Sequence, residues 1–485
     1  MGVNAGLNIL RTVLTMLFPV VTFWRIANIF SVDTVGLYQF ANAAAGYFIM
    51  FAALGIGTYA LREGVARRNN YEQMSQFASE MFTINVISTV VAYILLGICI
   101  FVAPKFHECK ELLLILSVNI ALMTVGCDWI HAVYEDFLFI TLRTIAVYAL
   151  SLLLFFLLVQ TADDLYAYAW ITVLATCGAQ LRNIPARRKY CRVRLVDPRQ
   201  AMQHIKPVMI LFANTVTTSL YVNADMLILG FLRADSEVGL YSVAVKIYSL
   251  FKTLLAAVIT VATPRLAAMW QEDREHFGEV AGRILRMLMT LLAPVATGLF
   301  FLGDSLIEVI SNAEYLAATG AVKWLCAALM LSIVGWFVTA CVLIPAKQEK
   351  AVLRITVIAA VVNVGLNFLL IPRMGFMAAA ITTVIAEGLA CVLGCIKARK
   401  MMNIRKVFLG KAHVKYTLSL LAGCGCVAGM CLLVRQLDAG GLITAGMSFC
   451  AAIPLYTGVT TALGNEEAGE VLDRYLSKVA GGRSI

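Results

Sequence analysis

The chain has 485 residues, of which 61% are hydrophobic and 14% are charged, and its mean hydropathy is +0.83. Soluble domains are only about 45–50% apolar and about 25% charged, so this composition excludes a cytosolic enzyme and predicts a protein built mainly within a bilayer. The formal net charge is +10, but the basic residues lie in clusters between apolar runs, which indicates membrane topology and not a nucleic-acid surface.

Fourteen apolar runs of suitable length for membrane-spanning helices follow one another along the chain. A helix needs about 20 apolar residues to cross the hydrocarbon core. The runs are 7–30, 35–61, 81–103, 112–133, 143–160, 164–184, 207–232, 238–263, 283–302, 319–344, 352–372, 375–397, 416–434 and 441–463. The first is too long for the apolar part of a signal peptide and contains Arg11 and Arg25, so we expect a retained first helix.

The basic residues between these spans predict the orientation of the chain. With the N-terminus inside, about 29 of the Lys and Arg residues lie in inner segments and about five in outer ones. We therefore expect a multi-pass protein of the cell (inner or plasma) membrane with both termini in the cytoplasm.

A repeated motif indicates two related halves. Residues 35–38 and 238–241 both read Val-Gly-Leu-Tyr, and each copy opens the second span of a half. A repeat of six spans enters the membrane in the same direction both times, which predicts two parallel six-helix lobes. The predicted fold is all-α, with an N-lobe at 1–184, a basic cytoplasmic linker at 185–206, a C-lobe at 207–397, two further helices within 398–463 and a cytoplasmic tail at 464–485.

Several short motifs recur in a characteristic order. They are Thr22-Phe23-Trp24-Arg25, Val35-Gly36-Leu37-Tyr38, Gly126-Cys127-Asp128-Trp129, Glu135-Asp136-Phe137, Val238-Gly239-Leu240-Tyr241, Pro264-Arg265-Leu266 and the run from Asn363 to Pro372. Together they resemble the polysaccharide-transport (Wzx-type) flippases of the MOP superfamily, which also contains the MATE antiporters and the lipid II flippase. The resemblance covers roughly residues 7 to 400. It implies two six-helix lobes around a central cavity, and a sugar repeat unit on polyprenyl pyrophosphate as substrate.

Basic residues within the spans are candidates for binding such an anionic substrate. Arg25 lies about 8 Å and Lys246 about 12 Å from the outer end of its span, so we expect both to line a hydrophilic cavity and bind pyrophosphate. Lys252 is turned about 120° from Lys246 around the same helix, and Arg11 lies about 6 Å from the inner edge, within snorkelling reach. Both complete the predicted substrate-binding set.

Three acids are candidates for ion coupling or gating. Asp225 has nearly the depth of Lys246, so it either couples transport to an ion or forms a structural salt bridge with that lysine. Glu387 lies about 18 Å from the outer edge and is either a proton-coupling group or part of an interhelical hydrogen bond. Asp128, near the inner face, suits a gate or a helix-end contact. We expect no catalytic residue, metal or cofactor, and H⁺ or Na⁺ as the coupling ion.

The predicted function is to flip a lipid-linked oligosaccharide between leaflets by alternating access for surface polysaccharide biosynthesis. The expected partners are the anionic glycan lipid, the bilayer and polysaccharide-assembly proteins. Two other functions stay open: a MATE-like antiporter of small molecules, which Asp225 and Glu387 would support and the buried bases oppose, and a membrane glycan polymerase or ligase. Such an enzyme would need acid and base groups on a substantial outer loop, and the longest predicted outer connection is only 303–318.

Overall fold

The computed structural model describes residues 2–402, 407–408, 413–437 and 440–469, and side chains from Leu17 onward together with Thr15. Within these ranges the chain is helical and contains no strand. We number the described helices of 17 or more residues α1 to α14. They are α1 Gly2–Ile29, α2 Val32–Ala53, α3 Tyr71–Val102, α4 Lys110–Gly126, α5 Phe137–Leu158, α6 Leu165–Ala186, α7 Ile205–Leu232, α8 Asp235–Glu272, α9 Arg274–Phe301, α10 Thr319–Phe337, α11 Glu349–Met374, α12 Phe376–Ala398, α13 Val414–Arg435 and α14 Gly441–Ala462.

Short helices complete the described chain. They are Ile56–Val65, Pro104–Glu108, Trp129–Val133, Pro198–Ala201 and Gly303–Ile310, with 3₁₀ turns at Arg187–Lys189, Met202–His204 and Ala313–Ala318 and a π-helical stretch at Val338–Leu343. Each of the fourteen predicted spans overlaps one long helix. Eleven helices in the described ranges are long and apolar enough to cross a membrane, whereas α4 and α6 fall short of that measure; the part of α1 with described side chains, Leu17–Ile29, is a shorter apolar stretch. The predicted all-helical membrane fold is confirmed.

Two predicted spans are interrupted where the backbone adopts a left-handed conformation. The predicted span 35–61 ends its first helix at Leu54 (φ 47°) and Gly55 (φ 73°) before Ile56–Val65 begins. The predicted span 112–133 breaks at Cys127 (φ 46°). A non-glycine residue with positive φ is uncommon, and an apolar run gives no signal for it.

The described residues divide into two compact units, 1–239 and 240–485. In the first unit, the repeated Val-Gly-Leu-Tyr motif has a packing role. A Cβ added to Gly36 would collide with the carbonyl of Asp235, and one added to Gly239 would collide with the carbonyl of Val32. Only glycine permits so close a backbone approach. Nearby, Lys105 Nζ lies 2.8 Å from Asp235 Oδ1; burial alone would lower the pKa of this lysine, but bonds to Asp235 and Glu108 raise it.

The basic linker is attached to the first unit through its backbone. The N–H groups of Arg192, Arg194 and Val196 donate to hydroxyl oxygens of α3 at distances of 3.0, 3.2 and 3.1 Å. The acceptors are Ser75, Ser79 and Thr83. An extended chain repeats every two residues and a helix face every four, so the two periods match at these three points. We call this set of bonds the hydroxyl ladder.

In the second unit, α13 and α14 are fixed to α9 at a proline. Pro294 has no N–H for the carbonyl of Thr290, which an unbroken helix would bond. The hydroxyl of Tyr456 on α14 donates to that carbonyl at 2.8 Å. Tyr416 on α13 donates to the carbonyl of Arg286 at 2.7 Å, one turn earlier. The bond from Tyr456 satisfies a backbone carbonyl that would be costly to leave open inside a membrane, and the bond from Tyr416 adds a second attachment of α13 to α9.

Candidate functional site

A charged network lies within the second unit, between α8 and α12. Lys252 Nζ is 2.9 Å from Glu387 Oε1 and 2.9 Å from the hydroxyl of Tyr248, which in turn donates to the same carboxylate oxygen at 3.2 Å. The side chains of Lys252 and Glu387 are 24% and 11% exposed. Charges inside a membrane protein are tolerated when they are paired and hydrogen-bonded, and this trio meets that condition.

The two residues of this ion pair belong to different predicted classes. Lys252 was expected to bind substrate, and Glu387 to couple an ion or to form an interhelical hydrogen bond. The structure brings them together, with Tyr248 as the residue that the sequence did not single out. Tyr248 precedes Lys252 by four residues, or one helical turn. This spacing is the sequence signal from which a contact between the two side chains could have been predicted. In this pair, a proton can compete with Lys252 for the carboxylate of Glu387, and an anionic ligand can compete with Glu387 for the ammonium of Lys252.

An apolar cavity of about 410 Å³ lies in the same unit. It is formed by α9, α13 and α14, and Phe251, the neighbour of Lys252, contributes from α8. Its walls include Pro294, Leu299, Val427 and Phe449. A cavity with such a lining suits hydrocarbon and offers little to a sugar or an ion.

Arg25 is on α1 in the first unit, and its side chain reaches the C-terminal end of α5. Its guanidinium donates to the carbonyl of Val159 at 3.2 Å and to Gln160 Oε1 at 3.1 Å, and it lies 5.4 Å from the ring centroid of Phe156. Val159 follows the last residue of α5, where helix carbonyls lack intrahelical partners. The guanidinium therefore ties α1 to α5, and its role toward a substrate stays a prediction.

The other predicted residues are distributed over both units. Lys246 is half-buried on α8, and Asp225 is half-buried on α7, where its carboxylate accepts the N–H of Met226 at 2.8 Å. Lys246 belongs to the second unit and Asp225 to the first, so the predicted pairing of the two stays a prediction. The side chain of Arg11 lies outside the described side chains.

Asp128 forms a network near the junction of α4, α5 and α6. Its carboxylate pairs with Arg143 and accepts a bond from Asn183 Nδ2 at 3.2 Å, and Arg143 also bonds Asn183 Oδ1. Arg143 is 8% exposed and Asn183 is fully buried. The structure thus makes Asp128 part of a three-helix contact, and its role in gating stays a prediction. The sequence singled out neither Arg143 nor Asn183 as a site residue.

Within the described ranges, no group of three or more His, Cys, Asp or Glu side chains is arranged to hold a metal ion. The cysteines there are all free thiols.

Comparison with known proteins identifies the family. A model of the family described as polysaccharide biosynthesis protein matches residues 1–270. A curated relative, the putative O-antigen transporter of Shigella dysenteriae, is 20% identical over 386 residues, which cover 79% of this chain and 96% of the relative.

Solved structures share the fold at low sequence identity. The lipid II flippase MurJ in an inward closed conformation has a TM-score of 0.73 at 15% identity and covers 94% of this chain and 99% of its own. An inward-facing multidrug resistance MATE family transporter of the MOP superfamily has a TM-score of 0.62 at 14% identity, covering 81% and 96%. These relatives are transporters and flippases, which agrees with the prediction of a transporter and not an enzyme. The chain therefore belongs to the polysaccharide biosynthesis protein family and has the membrane-embedded fold of the MOP superfamily transporters.

Proposed function

We propose that this protein flips a polyprenyl-pyrophosphate-linked oligosaccharide repeat unit from the cytoplasmic to the outer leaflet, by alternating access through a cationic central cavity. The product would feed surface polysaccharide biosynthesis. The observation that carries the proposal is that one helix of the second unit, α8, contributes both to a charged network, through Lys252, and to an apolar cavity of about 410 Å³, through Phe251. An amphiphile with a charged head and a hydrocarbon tail needs both surfaces side by side.

The head of the substrate would be held by cations. Pyrophosphate is an anion that guanidinium binds through two parallel bonds and ammonium binds as a point charge. Arg25, Lys246, Lys252 and Arg11 are the basic residues that we assign to this role. Lys252 would exchange Glu387 for a phosphate oxygen when substrate enters, because both are anionic acceptors at hydrogen-bond distance.

Energy coupling would use H⁺ or Na⁺ and no bound cofactor. When the substrate takes Lys252, Glu387 loses its cationic partner inside the membrane, and a buried single carboxylate favours taking up a cation. A proton bound to Glu387 would restore neutrality. Asp225 and Asp128 are the remaining acids that we assign to ion coupling or gating.

The protein would act in the cell membrane with both termini in the cytoplasm. The excess of basic residues in alternate connections supports this orientation. Its partners would be the lipid-linked anionic glycan, the bilayer and the proteins that assemble the polysaccharide.

Flipping can be measured in vesicles that contain the purified full chain and a fluorescent polyprenyl-pyrophosphate oligosaccharide. A membrane-impermeant quencher of the sugar label reports the fraction in the outer leaflet over time. We expect protein-dependent equilibration for the intact substrate, and none for the same oligosaccharide without its lipid. Equilibration that is equal with and without protein would refute the proposal.

A MATE-like ion-coupled antiporter is the second candidate function. The buried acid Glu387 and the likeness in fold to a MATE family transporter support it. The same vesicles distinguish the two functions when they are loaded with a small organic cation and given an ion gradient. Gradient-driven movement of the cation without flipping of the lipid-linked sugar would favour the antiporter.

A further inference from the structure

A second buried group of ionisable side chains lies in the first unit, apart from the network of α8 and α12. Glu80 on α3 and His204, the last residue before α7, are joined by a hydrogen bond of 2.8 Å between Oε2 and Nε2. The hydroxyl of Tyr59, from helix Ile56–Val65, lies 2.8 Å from His204 Nδ1. Glu80 is 3% and His204 6% exposed. Both nitrogens of a buried imidazole are thus engaged, one of them by a carboxylate.

Neutral groups surround most of this triad of Tyr59, Glu80 and His204. Gln76 Nε2 donates to the other carboxylate oxygen, Oε1, at 3.0 Å. The ring of Phe77 meets the imidazole edge-on at a centroid distance of 5.4 Å. Gln76 therefore gives the second carboxyl oxygen a neutral hydrogen-bond donor.

Charged groups face the triad from helix Ile56–Val65 and the turn that follows it. The guanidinium of Arg62 lies 5.8 Å from the ring centroid of Tyr59. Arg67 lies 4.7 Å from the ring centroid of Phe77 and pairs with Glu63 at 3.2 Å. Glu63 also contacts Arg62 at 3.4 Å, so one carboxylate serves two guanidinium groups and the three side chains carry one net positive charge. In the segment of His204 itself, Arg199 and Lys206 are exposed.

The triad can hold one proton more or one fewer without losing its geometry. With an ionised Glu80 and a neutral imidazole, Nε2–H donates to the carboxylate, Tyr59 donates to Nδ1, and one negative charge is buried. Proton uptake at Nδ1 gives an imidazolium beside a carboxylate, with zero net charge. A buried ion pair is far less costly than a buried single charge, so the proton strengthens the contact.

We propose that Tyr59, Glu80 and His204 form a proton-binding site that holds the end of the basic linker and the start of α7 on the first unit more firmly when a proton is bound. His204 is the N-terminal flanking residue of α7, and the linker reaches it through the short helix Pro198–Ala201, which follows the hydroxyl ladder. The site thereby lets pH adjust how firmly the chain between the predicted lobes is docked. This inference does not depend on which substrate the protein carries.

Hydrogen exchange of the full-length protein in lipid nanodiscs tests the site. The measured quantity is the opening equilibrium of peptides that cover 198–210, from about pH 5.5 to about pH 8.5, after correction for intrinsic exchange. Because one proton is involved, opening should increase with pH by at most about tenfold per pH unit. The dependence should be absent in Glu80→Gln, which keeps the shape and a hydrogen-bond acceptor.

Two further variants separate a proton site from a merely structural contact. Tyr59→Phe removes one hydrogen bond but leaves the titrating pair, so opening should rise at every pH with the slope retained. His276→Gln alters an exposed histidine bonded to Asp273 and should change neither quantity at 198–210. If Glu80→Gln fails to fold, wild type and Tyr59→Phe still decide the matter.

The inference is overturned by a wild-type slope of zero, by tighter docking at high pH, or by loss of the slope in Tyr59→Phe. None of these measurements requires a substrate. A slope that is present while the vesicles show no flipping would refute the proposed function and leave the proton site standing.

Discussion

The ion pair of Lys252 and Glu387 gives the sharpest test of the second unit. Lys252→Met removes the ammonium and keeps most of the side-chain volume, so Glu387 is left as a buried carboxylate with Tyr248 as its donor. Breaking a fully buried pair in this way typically costs about 3–5 kcal/mol. Because the Lys252 side chain is 24% exposed, we expect the free energy of unfolding to fall by about 2–4 kcal/mol.

Removing both charges should cost much less than removing one. In Lys252→Met combined with Glu387→Gln, no single charge remains buried, and Tyr248 can still bond the amide oxygen. We expect this double variant to lie within about 1 kcal/mol of wild type, and therefore to be more stable than Lys252→Met alone.

The free energy is obtained from reversible unfolding in mixed detergent and dodecyl sulfate micelles. Lys350→Met, at an exposed position near the start of α11, is the matched control and should stay within about 0.5 kcal/mol of wild type. Additive effects of Lys252→Met and Glu387→Gln would refute the ion pair as a stabilising contact.

Three further predictions concern transport and orientation. Arg25→Ala and Lys246→Ala should each slow flipping at normal abundance in the membrane; unchanged flipping in both would remove them from the substrate-binding set. Glu387→Gln should abolish the dependence of flipping on an imposed pH gradient, and a variant that responds like wild type would exclude this acid from coupling. In a cysteine-free background, an impermeant thiol reagent applied outside should label a cysteine at Asp235 and not one at Arg192; labelling at Arg192 would reverse the orientation.

Hydropathy predicted the positions of the helices because a bilayer demands one simple property, an apolar run of sufficient length. The interruptions at Leu54 and Cys127 were missed, since backbone dihedral angles leave no mark on hydropathy. Helix α3 begins at Tyr71, ten residues before the predicted span, because a helix continues into a polar region when its own start is capped. Asn70 supplies that cap by accepting the N–H groups of Glu72 and Gln73.

The site was predicted only as far as charge and depth allow. Lys252 and Glu387 were recognised as costly charges, but 134 residues separate them in sequence, and pairing across such a distance depends on how α8 and α12 pack. His204 lies within the predicted cytoplasmic linker, 185–206, where the sequence indicates no partner for it. Its carboxylate neighbour, Glu80, lies just before the predicted third span and gave no signal of its own.

The hydroxyl ladder has a consequence for how the linker can vary. Its three fixed points use backbone N–H groups, so the exposed side chains of Arg192 and Arg194 are replaceable by many residue types without loss of attachment. Proline is the exception at either position, because it has no N–H to donate. On the helix side the restriction is reversed, since Ser79 can be exchanged only for a residue that keeps a hydroxyl. A library of variants at Arg192 and Arg194 should therefore accept many residue types but not proline. A library of variants at Ser79 on α3 should retain only serine and threonine.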